Sequence, residues 1–195
     1  MKRILALAAL LTLPFAAQAD EGALPAKTYN GFVARTVEGY ILPALDGFVA
    51  AAGRLEQATS GDCGNADVVR TAFAGMGDAW AGIGFLRFGP MLADNRAERI
   101  QFWPDRKGIG ARQVQRAIAT RDNGATSVDA LAEQSVAMQG LPAMELILYG
   151  LPAAKDAAEA TYRCRYLAAI AGNLHVIARN LRAAWGNAAG GCAAI

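Results

Sequence analysis

The sequence predicts an all-α protein, a helical bundle of about four to five helices. Two long segments, from Pro25 to Gln57 and from Ala154 to Trp185, carry apolar residues at steps of three and four. That spacing places them on one face of a helix. No strand-like alternation of comparable length occurs. Hydrophobic residues make up 54% of the 195-residue chain, enough for one sizeable core. A bundle is the simplest fold that buries such faces.

The first residues are typical of a secretory signal peptide. Lys2 and Arg3 precede an apolar run from residue 4 to about 17, and Ala17-Gln18-Ala19 is a small-x-small cleavage site. The run is shorter than the ~20 residues that span a membrane. We therefore expect residues 1–19 to be removed, leaving an exported domain of residues 20–195 without a transmembrane segment.

The charge of the mature chain argues against nucleic-acid binding. Removal of Lys2 and Arg3 lowers the count of Lys and Arg from 19 to 17, which equals the 17 Asp and Glu. The basic residues form no cluster, whereas nucleic-acid binders carry a basic patch.

The second predicted helix begins at Asn65, whose side chain is suited to cap it. Arg87 follows the apolar stripe of this helix one turn beyond its last member, so we expect the arginine to point inward. The stripe itself consists of Val69, Phe73, Met76, Trp80 and Ile83.

The middle of the chain is more broken. Residues 88–110 form a long connection that contains several glycine and proline residues. Connections of this length in compact domains often carry function. A short helix is predicted from Ala111 to Thr120 and a fourth from Val128 to Met138. Pro142 then has no N–H for the preceding turn, so the helix either kinks there or restarts with Pro142 in its first turn.

Three cysteines are present, and export permits disulfides. We expect Cys63 to pair with Cys164, because that bridge ties an early loop to the last long helix. Cys192 is then free or paired with another chain.

A lone carboxylate, Glu145, stands in the apolar segment that follows Gln139 and Gly140. Burial of an unpaired carboxylate is costly, so we expect Glu145 to be buried beside a cation or several N–H donors. An inward Arg87 needs an acceptor, which Glu145 or Asp105 can provide. We interpret this first as a structural ion pair and alternatively as a ligand-binding pocket. The candidate pocket residues are Arg87, Trp103, Asp105, Gln139, Gly140 and Glu145.

Several segments resemble the imelysin-like family of bacterial envelope proteins. Residues 140–145 match its Gly-x-His-x-x-Glu motif, except that Pro142 stands at the histidine position. Four further segments resemble the family in the right order, and together they cover roughly Tyr29 to Trp185. They are Asp78-Ala79-Trp80, Phe85 to Pro90, Arg99 to Asp105 and Tyr162 to Tyr166. The resemblance implies the first part of a family domain that usually continues into a second helical bundle.

The resemblance also implies function. Family members are exported helical proteins, some classed as metallopeptidases and others linked to iron uptake, with His-x-x-Glu as proposed metal ligands. Only Glu145 carries over, and catalytic zinc usually needs three protein ligands and an open position. A metal ion is the only cofactor implied. The single histidine, His175, is interpreted as structural because it lies beside the apolar seam of the last helix.

We therefore expect a periplasmic protein without peptidase activity that binds a small ligand or an envelope partner, with a link to iron or metal acquisition. The first alternative is a metallopeptidase. The second is a structural or assembly partner, including association with another copy of the chain.

Overall fold

A computed structural model describes residues 26–60, 63 and 65–192, and the predicted signal peptide lies outside these residues. Most of the described residues are helical, and none of them forms a strand. The predicted all-α fold is confirmed.

The N-terminal helical arm is continuous but not uniform. It comprises α1 (Ala26–Thr36), a π-helical turn (Val37–Ile41) and α2 (Leu42–Thr59). The predicted helix from Pro25 to Gln57 is therefore present, with one wider turn near its middle. The α2 face carries buried apolar side chains at helical spacing, namely Leu45, Phe48, Ala52 and Leu55.

Helix α3 (Ala66–Ala81) begins where the sequence predicts it. The Asn65 side-chain oxygen accepts hydrogen bonds from the backbone N–H of Asp67 at 3.1 Å and of Val68 at 3.3 Å. These bonds satisfy two of the amide donors that a helix start leaves free. The helix gives way to turns after Ala81, before Arg87 is reached.

Short helices fill the middle of the chain. The predicted fourth helix is interrupted, because the Ser135 hydroxyl caps a separate turn by accepting a hydrogen bond from Ala137 N–H at 3.4 Å. Pro142 lies in the first turn of the helix that follows, so the chain restarts there rather than kinking. The elements in order are a 3-10 segment (Gly89–Asn95), α4 (Arg96–Ile100), α5 (Ile109–Thr120), a 3-10 turn (Asn123–Ala125), α6 (Val128–Ala132), a second 3-10 turn (Val136–Met138), α7 (Leu141–Glu145) and a π-helical turn (Leu146–Gly150).

Helix α8 (Ala157–Cys192) is the longest helix of the described chain and packs along α2. Its apolar seam is buried as predicted. Tyr166 is fully buried, and Trp185 and Trp80 of α3 are nearly so. The aromatic residues at helical spacing therefore belong to the core.

The predicted disulfide is present between Cys63 and Cys164, whose Cα atoms lie 5.7 Å apart across 101 residues of sequence. It fastens the segment before α3 to the N-terminal part of α8. The side chain of Cys192 lies outside the described ones. Within residues 26–60, 63 and 65–192, no helix has the length and apolar character of a membrane span.

Candidate binding site around residues 139 to 146

Gly140 allows two backbone segments to meet at closer range than any side chain would permit. A Cβ atom at this position would lie 2.3 Å from the carbonyl oxygen of Ile100 and 2.4 Å from that of Arg99. Both neighbours are backbone atoms, which cannot simply turn away. The glycine therefore fixes the start of α7 against the end of α4.

Gln139 is the buried polar anchor of this region, with 1% of its surface exposed. Its side-chain oxygen accepts a hydrogen bond from Arg99 Nε at 2.8 Å, and its amide nitrogen donates to Ala132 O at 3.2 Å. Arg99 also donates to the side-chain oxygen of Asn173 in α8 at 3.0 Å. The network ties α4, the start of α7 and α8 together.

The sequence interpretation found Gln139 but missed Arg99 and Asn173. Asn173 carried a usable signal, because it is a polar residue beside Leu174 in the apolar seam of α8. In the structure only 1% of its surface is exposed. A buried amide must find partners, so its position predicts a polar network. Arg99 gave no such signal in its short, irregular segment.

Asp105 acts as the cap of α5. Its carboxylate accepts hydrogen bonds from the backbone N–H groups of Ile109 at 2.7 Å, Gly110 at 2.9 Å and Ala111 at 3.4 Å. A carboxylate at a helix N-terminus meets free amides and the positive end of the helix dipole. Its lone pairs are therefore engaged by α5, and no ion pair joins it to Arg87 within the described chain.

The predicted inward orientation of Arg87 is wrong. Its side chain is exposed, Nε donates to Gly84 O at 2.9 Å, and the guanidinium lies 5.8 Å from the Trp80 ring centroid. The reason is that the chain leaves helical geometry after Ala81. The apolar stripe of α3 therefore does not continue in phase to Arg87.

The predicted burial of Glu145 is also wrong, because its side chain is exposed. Helix α7 turns Leu141, Ala143 and Met144 into the core, and Ile147 follows them. Glu145 lies on the opposite side of this short helix. Neither Arg87 nor another described cation forms an ion pair with it.

A small cavity of about 110 Å³ lies where the loop after α4 meets α7. Of the six predicted pocket residues, Asp105 lines it and the other five, including Glu145, do not. Pro142, at the histidine position of the motif, also lines it. Trp103, next in the chain to the lining residue Phe102, is 77% exposed. The cavity is lined by Phe102, Asp105, Gly110, Ala111, Ala137, Pro142, Ala143 and Leu146.

The donors near the motif do not fit a metal ion. Pro142 supplies no ligand atom, and the Asp105 carboxylate is held by three amides. His175 lies between α8 and α2, where its Nδ1 is 2.6 Å from a carboxylate oxygen of Glu56. Among the described residues, no three His, Cys, Asp or Glu side chains are grouped to hold a metal. We therefore derive no metal-dependent step.

Comparison with known proteins identifies the family. The chain superimposes on an imelysin-like protein from Psychrobacter arcticum 273-4 with a TM-score of 0.75 and 21% sequence identity. The match covers 85% of this chain and 52% of that one, so this chain spans about half the length of the solved structure. No curated protein sequence matches it. The imelysin sequence model matches residues 41–194, and the chain therefore belongs to the imelysin family.

Proposed function

We propose that this chain is an exported imelysin-like protein that binds a ligand or partner without catalysis, through the surface around Trp103 and Pro142. The observation that carries this proposal is the chemistry of the motif region. Pro142 lines an apolar cavity at the position of the family's histidine, beside a carboxylate that caps a helix. Metal-assisted activation of water needs free nitrogen or carboxylate ligands, and the described residues that line this site offer none. Its lining is better suited to apolar contact.

Trp103 supports a contact role. A tryptophan that is 77% exposed leaves a large apolar surface in water. Tryptophan is enriched among the residues that dominate binding energy in protein interfaces. Its loop is held in place at Asp105, so the ring is presented from a fixed base.

Export is supported by the N-terminal sequence and by the Cys63–Cys164 bridge, since disulfides persist in oxidising compartments. A role in iron or metal acquisition is proposed from the family resemblance. The metallopeptidase alternative requires ligands that the motif region does not offer.

A peptidase assay on the mature protein tests the absence of catalysis. We expect no cleavage with added zinc or iron, and the same metal content in wild type and in Glu145→Ala. Glu133→Ala, at another exposed glutamate, is the matched control. Chelator-sensitive cleavage that disappears in Glu145→Ala and persists in Glu133→Ala would restore the metallopeptidase interpretation.

Complementation tests the binding surface. In a host strain that lacks the protein, we expect wild type and Val68→Ala to restore growth under iron limitation and Trp103→Ala to fail. Val68 is the control because it is also an exposed apolar side chain but belongs to α3. Equal rescue by both variants would exclude Trp103 from the function, and rescue independent of iron supply would contradict the proposed link to iron.

The assembly alternative is favoured by exposed apolar side chains in α1, in the π-helical turn that follows it, and in residues 85–92. Their association with a second copy would bury this surface. Light scattering on the mature protein distinguishes a monomer from an oligomer. The exposed residues are Phe32, Val33, Tyr40, Phe85, Phe88 and Leu92.

A further inference from the structure

A second cleft, of about 440 Å³, lies between α3, the segment after α7 and the first turns of α8. It shares no lining residue with the cavity at Pro142. The disulfide between Cys63 and Cys164 forms part of its wall. Sites for small molecules in proteins usually enclose about 300 to 1,000 Å³, so the cleft is large enough for one.

The charge of the cleft is positive. Arg70, Arg163 and Arg165 line it, and among the described residues no Asp or Glu does. Arg163 is neutralised by an ion pair with Glu159. Arg70 is 3.2 Å from Asp67, a carboxylate that is almost fully exposed. An exposed pair of this kind is weak, so Arg70 retains part of its attraction for an anion.

Arg165 forms no ion pair with any carboxylate of the described residues. The side-chain hydrogen bond that it donates is long, 3.5 Å to the Thr126 hydroxyl. Its guanidinium offers five N–H donors, which match the oxygens of a carboxylate or phosphate. An anion in the cleft would give Arg165 its counter-charge.

Part of the cleft wall is apolar. Val69 in α3, Ile147 in the π-helical turn after α7 and Leu167 in α8 are buried, and Leu148 is half-buried. All four line the cleft. A purely inorganic anion would leave this wall unused, whereas a hydrocarbon or aromatic group would cover it.

We propose that this cleft binds a small organic anion, with its carboxylate or phosphate group on Arg165 and its apolar body against Val69, Leu148 and Leu167. Arg70, across the cleft on α3, supplies additional positive potential. The disulfide holds the approach to α3 against α8 and so keeps the two walls together. The site is separate from the surface proposed above and does not depend on it.

Calorimetric titration tests this proposal. The probes are 4-phenylbutyrate, phenyl phosphate, the neutral amide of phenylbutyrate and inorganic phosphate. We expect saturable binding of at least one organic anion, and the tighter one identifies the preferred head group. The amide should bind at least about tenfold more weakly because it loses the charge-assisted hydrogen bonds. Inorganic phosphate should also bind at least about tenfold more weakly, because it has no apolar body to cover the hydrophobic wall.

Variants locate the contact. Arg165→Gln should weaken binding about tenfold or more, and Arg165→Lys should weaken it less because the charge is kept. Thr161→Glu, at an exposed lining position one turn before Arg165, should also weaken binding by adding a negative charge. Arg179→Gln, an exposed arginine further along α8 and outside the lining, is the matched control. Thermal melting verifies that each variant folds.

Four results would overturn the proposal. They are no saturable binding of either organic anion, equal binding of the amide, unchanged binding in both Arg165→Gln and Thr161→Glu, and an equal loss in Arg179→Gln. The last would show attraction to the general surface rather than to the cleft.

Discussion

Residue chemistry alone suggests that Glu145 is the buried anchor of this region, but Gln139 has that role and Glu145 is exposed. A carboxylate in an apolar segment is the more conspicuous group, but the exposed face of α7 accommodates it without cost. The amide of Gln139 is the buried group, and it can both accept from Arg99 and donate to backbone carbonyls. A carboxylate at the same place could only accept.

Substitution of the two residues should separate these roles. Gln139→Met should lower the free energy of unfolding by about 2–4 kcal/mol, because it leaves Arg99 and the Ala132 carbonyl with unmet hydrogen bonds. Glu145→Ala should change it by less than about 0.5 kcal/mol, as is usual for exposed positions. Urea denaturation measures both. Similar losses in the two variants would show that Glu145 is the anchor after all.

Gly140→Ala should be strongly destabilising, by about 1–3 kcal/mol or more, because the added Cβ meets the carbonyl oxygens of Arg99 and Ile100. The matched control is Gly75→Ala in α3, where the new Cβ meets nothing within 4 Å. That variant should be neutral or more stable by up to about 1 kcal/mol, since alanine favours helix. Denaturation midpoints that fall equally in both variants would contradict the close-approach role of Gly140.

The candidate site was only partly predictable from the sequence, for a physical reason. Gln139, Gly140 and Asp105 were recognisable because they stand at or beside glycine and proline residues that interrupt helices. The direction of Arg87 depended on whether α3 continued to it, and a helix end cannot be inferred from a stripe that still fits by spacing. Asn173 contacts Arg99 across 74 residues, a relation that periodicity along one helix does not contain.

At the scale of elements, long helices were predictable and short ones were not. Helix α8 repeats its apolar spacing from Tyr162 to Trp185, so its buried face is defined by several successive turns. Helices α4, α6 and α7 have five residues each, too few for a period to emerge. Their positions are set instead by caps and by contacts with α8, such as the hydrogen bond from the Tyr166 hydroxyl to Met138 O at 2.9 Å.

Two tyrosines of α8 make this element sensitive to alkaline pH. Burial raises the pKa of Tyr162 to about 12 and raises the pKa of Tyr166 as well. In the unfolded chain both groups ionise near 10.0, so above that pH the unfolded state is favoured by proton release. The stabilisation is therefore complete below pH 10 and is lost as pH rises towards 12.

We expect the urea midpoint to fall between pH 10 and 12, and Tyr162→Phe to reduce that fall. At neutral pH the same variant should cost about 1 kcal/mol, because its hydroxyl donates to Asp122 O at 2.8 Å. Tyr149→Phe, at an exposed tyrosine, is the control and should keep the wild-type profile. A profile for Tyr162→Phe that parallels wild type would exclude Tyr162 as the titrating group.

At the scale of the whole molecule, the sequence predicts that α2 and α8 pack together but not how they are aligned. Each has one apolar face, and two such faces bury each other, but nothing in their sequences fixes the register between them. The pair His175 and Glu56 joins the two helices at 2.6 Å and contributes to that register. The disulfide adds a second constraint, between the start of α3 and α8, that the cysteine positions did suggest.

We expect the Cys63–Cys164 disulfide to contribute more to the free energy of unfolding than any other single bond in the protein. Its cysteines are separated by 101 residues, and in the chain-entropy model closing a loop of about that length stabilises the fold by roughly 5 kcal/mol. The double variant Cys63→Ser with Cys164→Ser should therefore lose about that much free energy of unfolding, with unchanged helix content by circular dichroism. Cys192→Ser is the matched control, since we predict that Cys192 takes no part in the bridge. Peptide mapping without reduction should recover the peptides of Cys63 and Cys164 joined and that of Cys192 alkylated, and a joined peptide containing Cys192 would show that another pairing forms in solution.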